Sequence, residues 1–196
     1  MKRAPRVAAV QDISGFGRCS MTVALPVLSA MGAQCCPLPT AYLSAHTAFP
    51  ELGKAAFLDL TRELEQTQEH WAALGVALDA VYSGFIGSAG QIAAIRRFYE
   101  RFRGADTVVL CDPVMGDGGR PYRTYTPDMC RAMGELAALA DVITPNLTEA
   151  ALLLGEEYAD APGSETAARA WLERLSRDGR RSVVLTGLSF TGGEIG

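Results

Sequence analysis

The sequence has no surplus of basic residues, no paired cysteine motif and no long uninterrupted apolar run, and each absence excludes a class of protein. Its net charge is -4 and its isoelectric point is about 5.2, whereas nucleic-acid-binding proteins usually carry a basic stripe. Basic residues gather at 96–103, where Glu100 interrupts them and their spacing fits a solvated helix face. The sequence therefore predicts no nucleic-acid partner.

The cysteines and the apolar segments argue against secretion and against a membrane span. The five cysteines form no CxxC pair and have no histidine at zinc-ligand spacing, which favours reduced, mostly buried thiols. No Asp, Glu, Lys or Arg occurs between Arg18 and Glu51, but prolines and Gly32 break this stretch below the roughly 20 apolar residues of a span. We expect a buried helix followed by a buried strand there. The N-terminal apolar segment is too short for a secretory signal, so we predict a cytoplasmic protein without membrane contact.

What the sequence does contain is an alternation of short apolar runs and longer amphipathic ones. Its 196 residues, 48% of them hydrophobic, suit one compact domain over residues 1–196. The apolar runs predict strands at 7–10, 80–86, 107–111, 141–144 and 182–186. The amphipathic runs predict helices at 20–31, 54–74, 88–103, 127–139, 147–155 and 164–178. This order predicts a doubly wound α/β sandwich in which parallel strands end at one edge, where ligands bind.

The first polar loop, QDISGFGRCS at 11–20, contains a near match to the dinucleotide fingerprint. Gly15, Gly17 and Ser20 form GxGxxS, but no acidic residue that could hold a ribose appears until Glu51. This disfavours a nicotinamide cofactor. The glycines are better suited to letting the backbone approach a small ligand.

Two later loops carry carboxylates directly after apolar runs. Asp112 and Asp117 lie in CDPVMGDGG (111–119), and either could ligate magnesium, because this ion needs only one or two carboxylates beside substrate phosphates. Asn146 and Glu149 of TPNLTEA (144–150) are three residues apart at a helix start, so both side chains can face one edge. The alternatives are a polar turn for the aspartates and simple helix capping for Asn146, Thr148 and Glu149.

Taken together, DPVMGD (112–117), TPNLTEA and VVLTG (183–187) resemble the ribokinase-like superfamily, and within it the pyridoxal/pyridoxamine kinases. The segments SGFGRCSMTVALPVLSAMG (14–32) and SAHTAF (44–49) are similar to the same family, so the resemblance covers essentially the whole chain. It implies a three-layer α/β/α sandwich with a mostly parallel central sheet. It also implies ATP-dependent phosphorylation of the 5'-hydroxymethyl group of pyridoxal, pyridoxamine or pyridoxine in vitamin B6 salvage. A hydroxymethylpyrimidine kinase of thiamine synthesis, from the same branch, is the alternative.

The resemblance implies roles for individual residues. The positions implied to bind ATP and its phosphates are Asp112, Asn146, Glu149 and Thr186. Those implied near Mg²⁺ are Asp112, Asp117 and Glu149. Those implied near the substrate ring are Asp12, His46, Thr47 and Phe85, with Asp12 standing where many members have a serine and Phe85 where they often have a tyrosine. Core or turn positions are the alternatives for His46, Phe85 and Thr186. A monovalent cation such as K⁺ and a homodimer are further implications.

One family motif is missing from residues 1–196. The family takes its catalytic aspartate from GTGD, and the nearest string here is TGGE (191–194), which we interpret as a hairpin turn before a strand beginning at Ile195. We therefore expect a fold that is incomplete at its C-terminus, no catalytic base in this chain, and no turnover by it. A non-catalytic protein that binds a vitamer or a nucleotide is the remaining alternative.

Overall fold

The computed structural model describes residues 3–47, 49, 54–158 and 161–189. The chain forms two compact units, Met1–Val109 and Leu110–Gly196, and the single domain over 1–196 stays a prediction. Among the helices within the described ranges, none combines the length and apolar character that a membrane crossing requires. The predicted hairpin at 191–194 and the strand at Ile195 lie outside these ranges.

The first unit alternates strands with helices. Its elements are β1 (Arg6–Ser14), α1 (Met21–Ala30), β2 (Gln34–Leu43), β3 (Phe57–Asp59), α2 (Thr61–Ala73), β4 (Ala80–Ser83) and α3 (Ala89–Phe102). The strands lie in the order β3-β2-β1-β4, and β1 is parallel to both β2 and β4, whereas β3 is antiparallel to β2. Ala8, Ala9 and Val10 in β1 are 0% exposed, as expected for a parallel strand covered on both faces.

Helix α1 differs from the predicted buried helix. Met21 and Ala24 pack with Ala9 of β1 in a buried cluster. Val23 and Val27, in contrast, are 40% and 49% exposed, although the helix contains no charged residue. The expectation was wrong for the outer face because a single helix on a sheet buries only one side of itself.

The second unit begins within β5 (Val108–Cys111). Its other elements are β6 (Gly116–Asp117), β7 (Arg120–Pro121), α4 (Pro127–Ala137), β8 (Val142–Ile143), α5 (Leu147–Leu154), α6 (Glu165–Ser176) and β9 (Ser182–Val183). β8 pairs in parallel with β5 on one side and with β9 on the other. The carboxyl ends of these three strands therefore lie at one edge. β6 and β7 form a separate antiparallel hairpin, which we call the β6–β7 hairpin.

One arginine connects the ends of two helices in the second unit. Arg181 Nε donates to the Leu175 carbonyl of α6 at 2.6 Å, and its Nη1 donates to the Ala137 carbonyl of α4 at 2.7 Å. Carbonyls in the last turn of a helix have no partner within that helix. The Arg181 guanidinium therefore caps α4 and α6 at the same time.

Several strand and helix boundaries differ from the predictions. The helix predicted over 54–74 begins only at Thr61, because residues 57–59 pair with β2 and the Asp59 carboxylate accepts the Thr61 N–H at 2.8 Å. β1 continues to Ser14, so residues 11–14, predicted as a loop, belong to a strand. The strand predicted over 80–86 ends at Ser83, and the one predicted over 182–186 ends at Val183.

Helix α6 lies where it was predicted, with the predicted N-cap and a shorter C-terminal end. Ser164 caps α6 by accepting the Ala167 N–H. The helix ends at Ser176, two residues earlier than predicted, because Arg177 adopts a left-handed conformation with φ 54°.

All five cysteines are free thiols, as predicted. Only Cys111 is buried, and the other four are half-buried, so the prediction that most of them are buried was wrong.

Candidate functional site

Asp112 follows β5 directly, as predicted, and is half-buried. Burial raises the pKa of its carboxyl to about 6, even though a hydrogen bond from Thr144 acts to lower it. No lysine or arginine of the described ranges forms an ion pair with Asp112. A cation placed beside this carboxylate would therefore relieve an uncompensated negative charge.

Asp117 lies at the end of β6, where the β6–β7 hairpin turns. The turn consists of Gly118 and Gly119, which both have positive φ, 57° and 79°, as in the two-residue turns that glycine favours. Asp117 is exposed, and its Oδ1 accepts the Gly118 N–H at 2.7 Å. A side chain at Gly116 would overlap the Arg120 carbonyl across the hairpin. Gly116, Gly118 and Gly119 thus determine the shape of the hairpin, and Asp117 is the carboxylate that stands among them.

Asn146 and Glu149 form a capping box at the start of α5. Asn146 Oδ1 accepts the Glu149 N–H at 2.9 Å, and Glu149 Oε2 accepts the Asn146 N–H at 2.8 Å. The capping role that the sequence left open for these two residues is confirmed. Both side chains also make contacts outside the helix, Asn146 with the β6–β7 hairpin and Glu149 with the residue before it.

The first turn of α5 holds this hairpin through three side chains. Asn146 Nδ2 donates to the Gly116 carbonyl at 2.9 Å, and Glu149 Oε1 accepts the Met115 N–H at 3.2 Å. Thr148 Oγ1 accepts the Gly119 N–H at 2.9 Å. The segment that carries the two aspartates is therefore tied to the helix that carries Asn146 and Glu149.

Glu149 is the most deeply placed carboxylate of the group, with 3% of the residue exposed. Burial, together with the charge of Asp112, raises the pKa of Glu149 to about 8 against the hydrogen bonds from backbone amides, which act to lower it. The two carboxylates therefore lie close enough to repel each other. We call Asp112, Asp117 and Glu149 the carboxylate cluster.

Thr186 follows β9 and lies beside Asn146, with which it forms an isolated parallel bridge. Its N–H donates to the Pro145 carbonyl at 2.9 Å, and its hydroxyl donates to the same carbonyl at 3.4 Å. The structure thus brings together the four residues predicted to bind ATP and its phosphates, which are Asp112, Asn146, Glu149 and Thr186. Their roles toward a ligand stay a prediction.

The carboxylate cluster does not amount to a closed metal site. Within the part of the chain that the structure describes, no three His, Cys, Asp or Glu side chains are grouped so that they could hold an ion by themselves. A magnesium ion that shares its coordination with water and phosphate oxygens does not need three protein carboxylates. The carboxylate cluster fits a magnesium site in which water and phosphate oxygens supply the remaining ligands.

The residues predicted near the substrate ring belong to the first unit. Asp12 lies in β1, is 4% exposed, and accepts a hydrogen bond from the Ser14 hydroxyl at 3.0 Å. The β1–β2 register shifts between Gln11 and Ile13, so Asp12 sits at an irregularity of the sheet. Such irregularities often re-aim side chains next to binding sites.

The other three predicted ring contacts follow the neighbouring strands β2 and β4. His46 donates its backbone N–H to the Phe16 carbonyl at 2.9 Å, and Thr47 beside it is exposed. Phe85 is half-buried, and its carbonyl accepts the Thr40 hydroxyl at 3.0 Å. Parallel strands place these residues at the same edge as Asp12, while a shared contact with a ring stays a prediction.

Four residues of the two sites were not singled out as ligands from the sequence. Burial raises the pKa of the Tyr122 phenol, and the charges of the carboxylate cluster raise it further, so this ring lies beside the cluster. Thr144 and Thr148 contact Asp112 and Gly119, and both stand inside the TPNLTEA string, which was the available signal. The buried amide nitrogen of Gln11 has no hydrogen-bond partner in the described ranges, and no sequence signal indicated it.

Comparisons with known proteins point to one family. A family model described as phosphomethylpyrimidine kinase matches residues 25–195. The pyridoxal kinase PdxY of Deinococcus radiodurans is 32% identical over 192 residues, which are 93% of this chain and 62% of that protein. The pyridoxal kinase PdxY of Pseudomonas syringae pv. tomato is 30% identical over 196 residues, which are 98% of this chain and 66% of that protein.

Solved structures agree with the sequence comparisons. A candidate phosphomethylpyrimidine kinase of Bacteroides thetaiotaomicron, crystallised with pyridoxal, is 41% identical with a TM-score of 0.88 over 98% of this chain and 65% of that one. The pyridoxal kinase of Lactobacillus plantarum is 33% identical with a TM-score of 0.86 over 98% of this chain and 66% of that one. The predicted α/β fold with a mostly parallel central sheet flanked by helices is confirmed. The chain spans 62% of the length of the Deinococcus relative and 66% of the Lactobacillus structure.

Proposed function

The chain belongs to the phosphomethylpyrimidine kinase family, and from this premise we propose that it serves the transfer of the γ-phosphate of MgATP to the 5'-hydroxymethyl group of a vitamin B6 vitamer by binding both reactants. Its PdxY relatives are named pyridoxal kinases, and one similar structure contains pyridoxal. The observation that carries the proposal is the pair of desolvated, mutually repelling carboxylates Asp112 and Glu149 beside a helix start. The metal ion of a metal-bound triphosphate supplies the positive charge that such a pair lacks.

The residues of the second unit fit magnesium as the shared ion. Asp112 and Asp117 would hold it, directly or through water. The two oxygens of Glu149 each already accept a backbone N–H and keep further acceptor capacity for a bound water. When bound, the ion would neutralise phosphate charge. Asn146 and Thr186 would stand beside the nucleotide phosphates.

The residues of the first unit would select the acceptor. Asp12 presents a buried carboxylate that can accept a hydrogen bond from a ring hydroxyl or ring nitrogen, and Phe85 presents an aromatic face. Stacking of that face on a heteroaromatic ring contributes about 0.5 to 1.5 kcal/mol. His46 and Thr47 would complete this side of the acceptor site.

A hydroxymethylpyrimidine, or its phosphate, is the second candidate acceptor. The description of the matching family model and that of the Bacteroides protein favour it. Competition between pyridoxal and 4-amino-5-hydroxymethyl-2-methylpyrimidine for one preparation of the protein separates the two. We expect pyridoxal to bind more tightly, and the opposite order would assign the pyrimidine.

Nucleotide binding tests the proposal most directly. Titration of residues 1–196 with adenylyl imidodiphosphate should give binding that requires Mg²⁺, and Asp112→Asn should weaken it about tenfold or more, which is about 1.4 kcal/mol. Asp128→Asn is the matched control, because this aspartate is exposed at the start of α4 and pairs with Arg131. Binding that ignores Mg²⁺, or an Asp112 variant that behaves like the control, would contradict the metal site.

Turnover by residues 1–196 is a separate question. Because these residues contain no GTGD aspartate to take the proton from the attacking hydroxyl, we propose that they bind ligands without phosphorylating them. ATP-dependent formation of pyridoxal 5'-phosphate by the purified chain would refute this. Binding without turnover is also what a non-catalytic vitamer- or nucleotide-binding protein would show.

We further propose a cytoplasmic homodimer, with K⁺ as an additional cofactor candidate, as the family resemblance implies. The free thiols of all five cysteines agree with a reducing compartment. The uncharged outer face of α1, where Val23, Leu25 and Val27 are exposed, offers apolar surface for a contact between copies.

A further inference from the structure

The turn of the β6–β7 hairpin depends on support from outside the hairpin. A two-stranded hairpin alone is marginally stable in water, and two adjacent glycines add conformational freedom. Asn146 and Glu149 hold its first strand and the residue before it. The turn itself is held by Thr148, whose Oγ1 accepts the Gly119 N–H at 2.9 Å.

The Thr148 side chain is buried and contacts the hairpin turn, not the solvent. The residue is 3% exposed and lies in the first turn of α5, one position before Glu149. The ring of Tyr158 also lies against Gly119, so closely that a Cβ at Gly119 would come within 2.6 Å of the ring. Gly119 therefore contacts both a hydroxyl and an aromatic ring.

This arrangement reaches Asp117 through the turn. Asp117 immediately precedes Gly118, and its Oδ1 accepts the Gly118 N–H at 2.7 Å. The Gly118–Gly119 peptide, whose N–H donates to Thr148, is joined through the Gly118 Cα to the Asp117–Gly118 peptide, whose N–H donates to Asp117. A shift of the first peptide therefore moves the second, and with it the Asp117 carboxylate. We propose that Thr148 is a positioning residue of the phosphate side of the site, and that it acts by fixing the turn that orients Asp117; this rests on the proposed function.

Two substitutions of Thr148 distinguish the effect of its hydroxyl group from the effect of its side-chain shape. Thr148→Val keeps the branched shape but leaves the Gly119 N–H without an acceptor, which lets the turn shift. Small displacements of a positioned group can lower rate or affinity strongly. Thr148→Ser keeps the hydroxyl and is the matched control.

The experiment measures two affinities of residues 1–196 by titration calorimetry, one for adenylyl imidodiphosphate with Mg²⁺ and one for pyridoxal. Thr148→Val should weaken nucleotide binding about tenfold, about 1.4 kcal/mol, and leave pyridoxal binding unchanged. Thr148→Ser should stay within about twofold of the unchanged chain. In the Asp117→Asn background, Thr148→Val should cause little further loss, because residues that act through one another are not additive.

The outcomes that overturn the inference differ from those that overturn the proposed function. Unchanged nucleotide affinity in Thr148→Val, or a loss that adds fully to that of Asp117→Asn, would refute the positioning role. An equal loss of pyridoxal affinity would show a general structural role and refute it too. Failure of the unchanged chain to bind the nucleotide would overturn the proposed function, and this inference with it.

Discussion

The buried carboxylates should make the stability of this protein depend on pH, and Glu149→Gln isolates the largest contribution. Burial raises the pKa of Glu149 in the folded chain to about 8, compared with its ordinary 4.5. Between these two values the folded protein binds the proton more tightly than the unfolded chain does. The resulting stabilisation is fully present below about pH 4.5 and is lost as the pH rises towards 8.

The size of the effect follows from the shift. One pKa unit corresponds to about 1.4 kcal/mol, so a change from 4.5 to about 8 sets an upper limit of about 5 kcal/mol. Asp112, whose pKa is raised to about 6, titrates in the same range and interacts with Glu149. Because the pair shares its titration, we expect Glu149 itself to account for about 2 to 4 kcal/mol between pH 5 and pH 8.

Urea unfolding at a series of pH values from about 5 to 8, with and without the substitution, measures this contribution. The free energy of unfolding of the unchanged protein should fall more steeply with pH than that of Glu149→Gln. The lost hydrogen bonds of the variant shift its whole curve, so the slopes are compared and not the offsets. Comparing the two slopes also removes the contribution of every group that titrates equally in both proteins. Parallel curves would refute a raised pKa at Glu149.

Two further predictions concern the framework of the second unit. Arg181→Met should lower the free energy of unfolding by about 1 to 3 kcal/mol, because the Leu175 carbonyl loses its side-chain donor and the Ala137 carbonyl keeps only the Ala140 N–H. The exposed neighbour Arg180→Met is the control, and equal losses would contradict the capping role. Gly119→Ala should lower it by about 1 to 3 kcal/mol in thermal or urea unfolding, because the new Cβ combines positive φ with a clash against Tyr158. Gly118→Ala meets open space at φ +57° and should lose clearly less; a loss as large as that of Gly119→Ala would show that the Tyr158 contact contributes nothing.

The site could be located from the sequence because its residues stand next to strand ends. Asp112 follows β5 directly, and Asn146 and Thr186 lie within three residues of β8 and β9. A parallel strand end fixes where such a residue lies, whatever the connecting helix does. The contacts of Thr148 with Gly119 and of Glu149 with Met115 could not be predicted in this way. They join residues 29 and 34 positions apart, and they depend on the shape that the intervening glycines give the hairpin.

The wrong predictions have equally specific causes. Residues 54–60 continue an amphipathic pattern into α2, but pairing of Phe57 and Leu58 with β2 favours a strand there. Formation of this strand depends on a partner strand about fifteen residues away in the sequence, and the periodicity of a short window carries no information about such a partner. Helix α1 has no charged residue on any side, so composition alone indicated full burial, although the buried residues of the helix are only Met21 and Ala24.

The bridge made by Arg181 has a consequence for how the second unit opens. Helices normally fray at their ends one by one, each on its own timescale. Here the Arg181 side chain joins the final turns of α4 and α6, and Arg177 at the end of α6 also donates to the Ala138 carbonyl at 3.4 Å. Loosening either turn therefore removes side-chain contacts from both. The amide protons of these two turns should therefore exchange with solvent at matched rates, as parts of one cooperative opening.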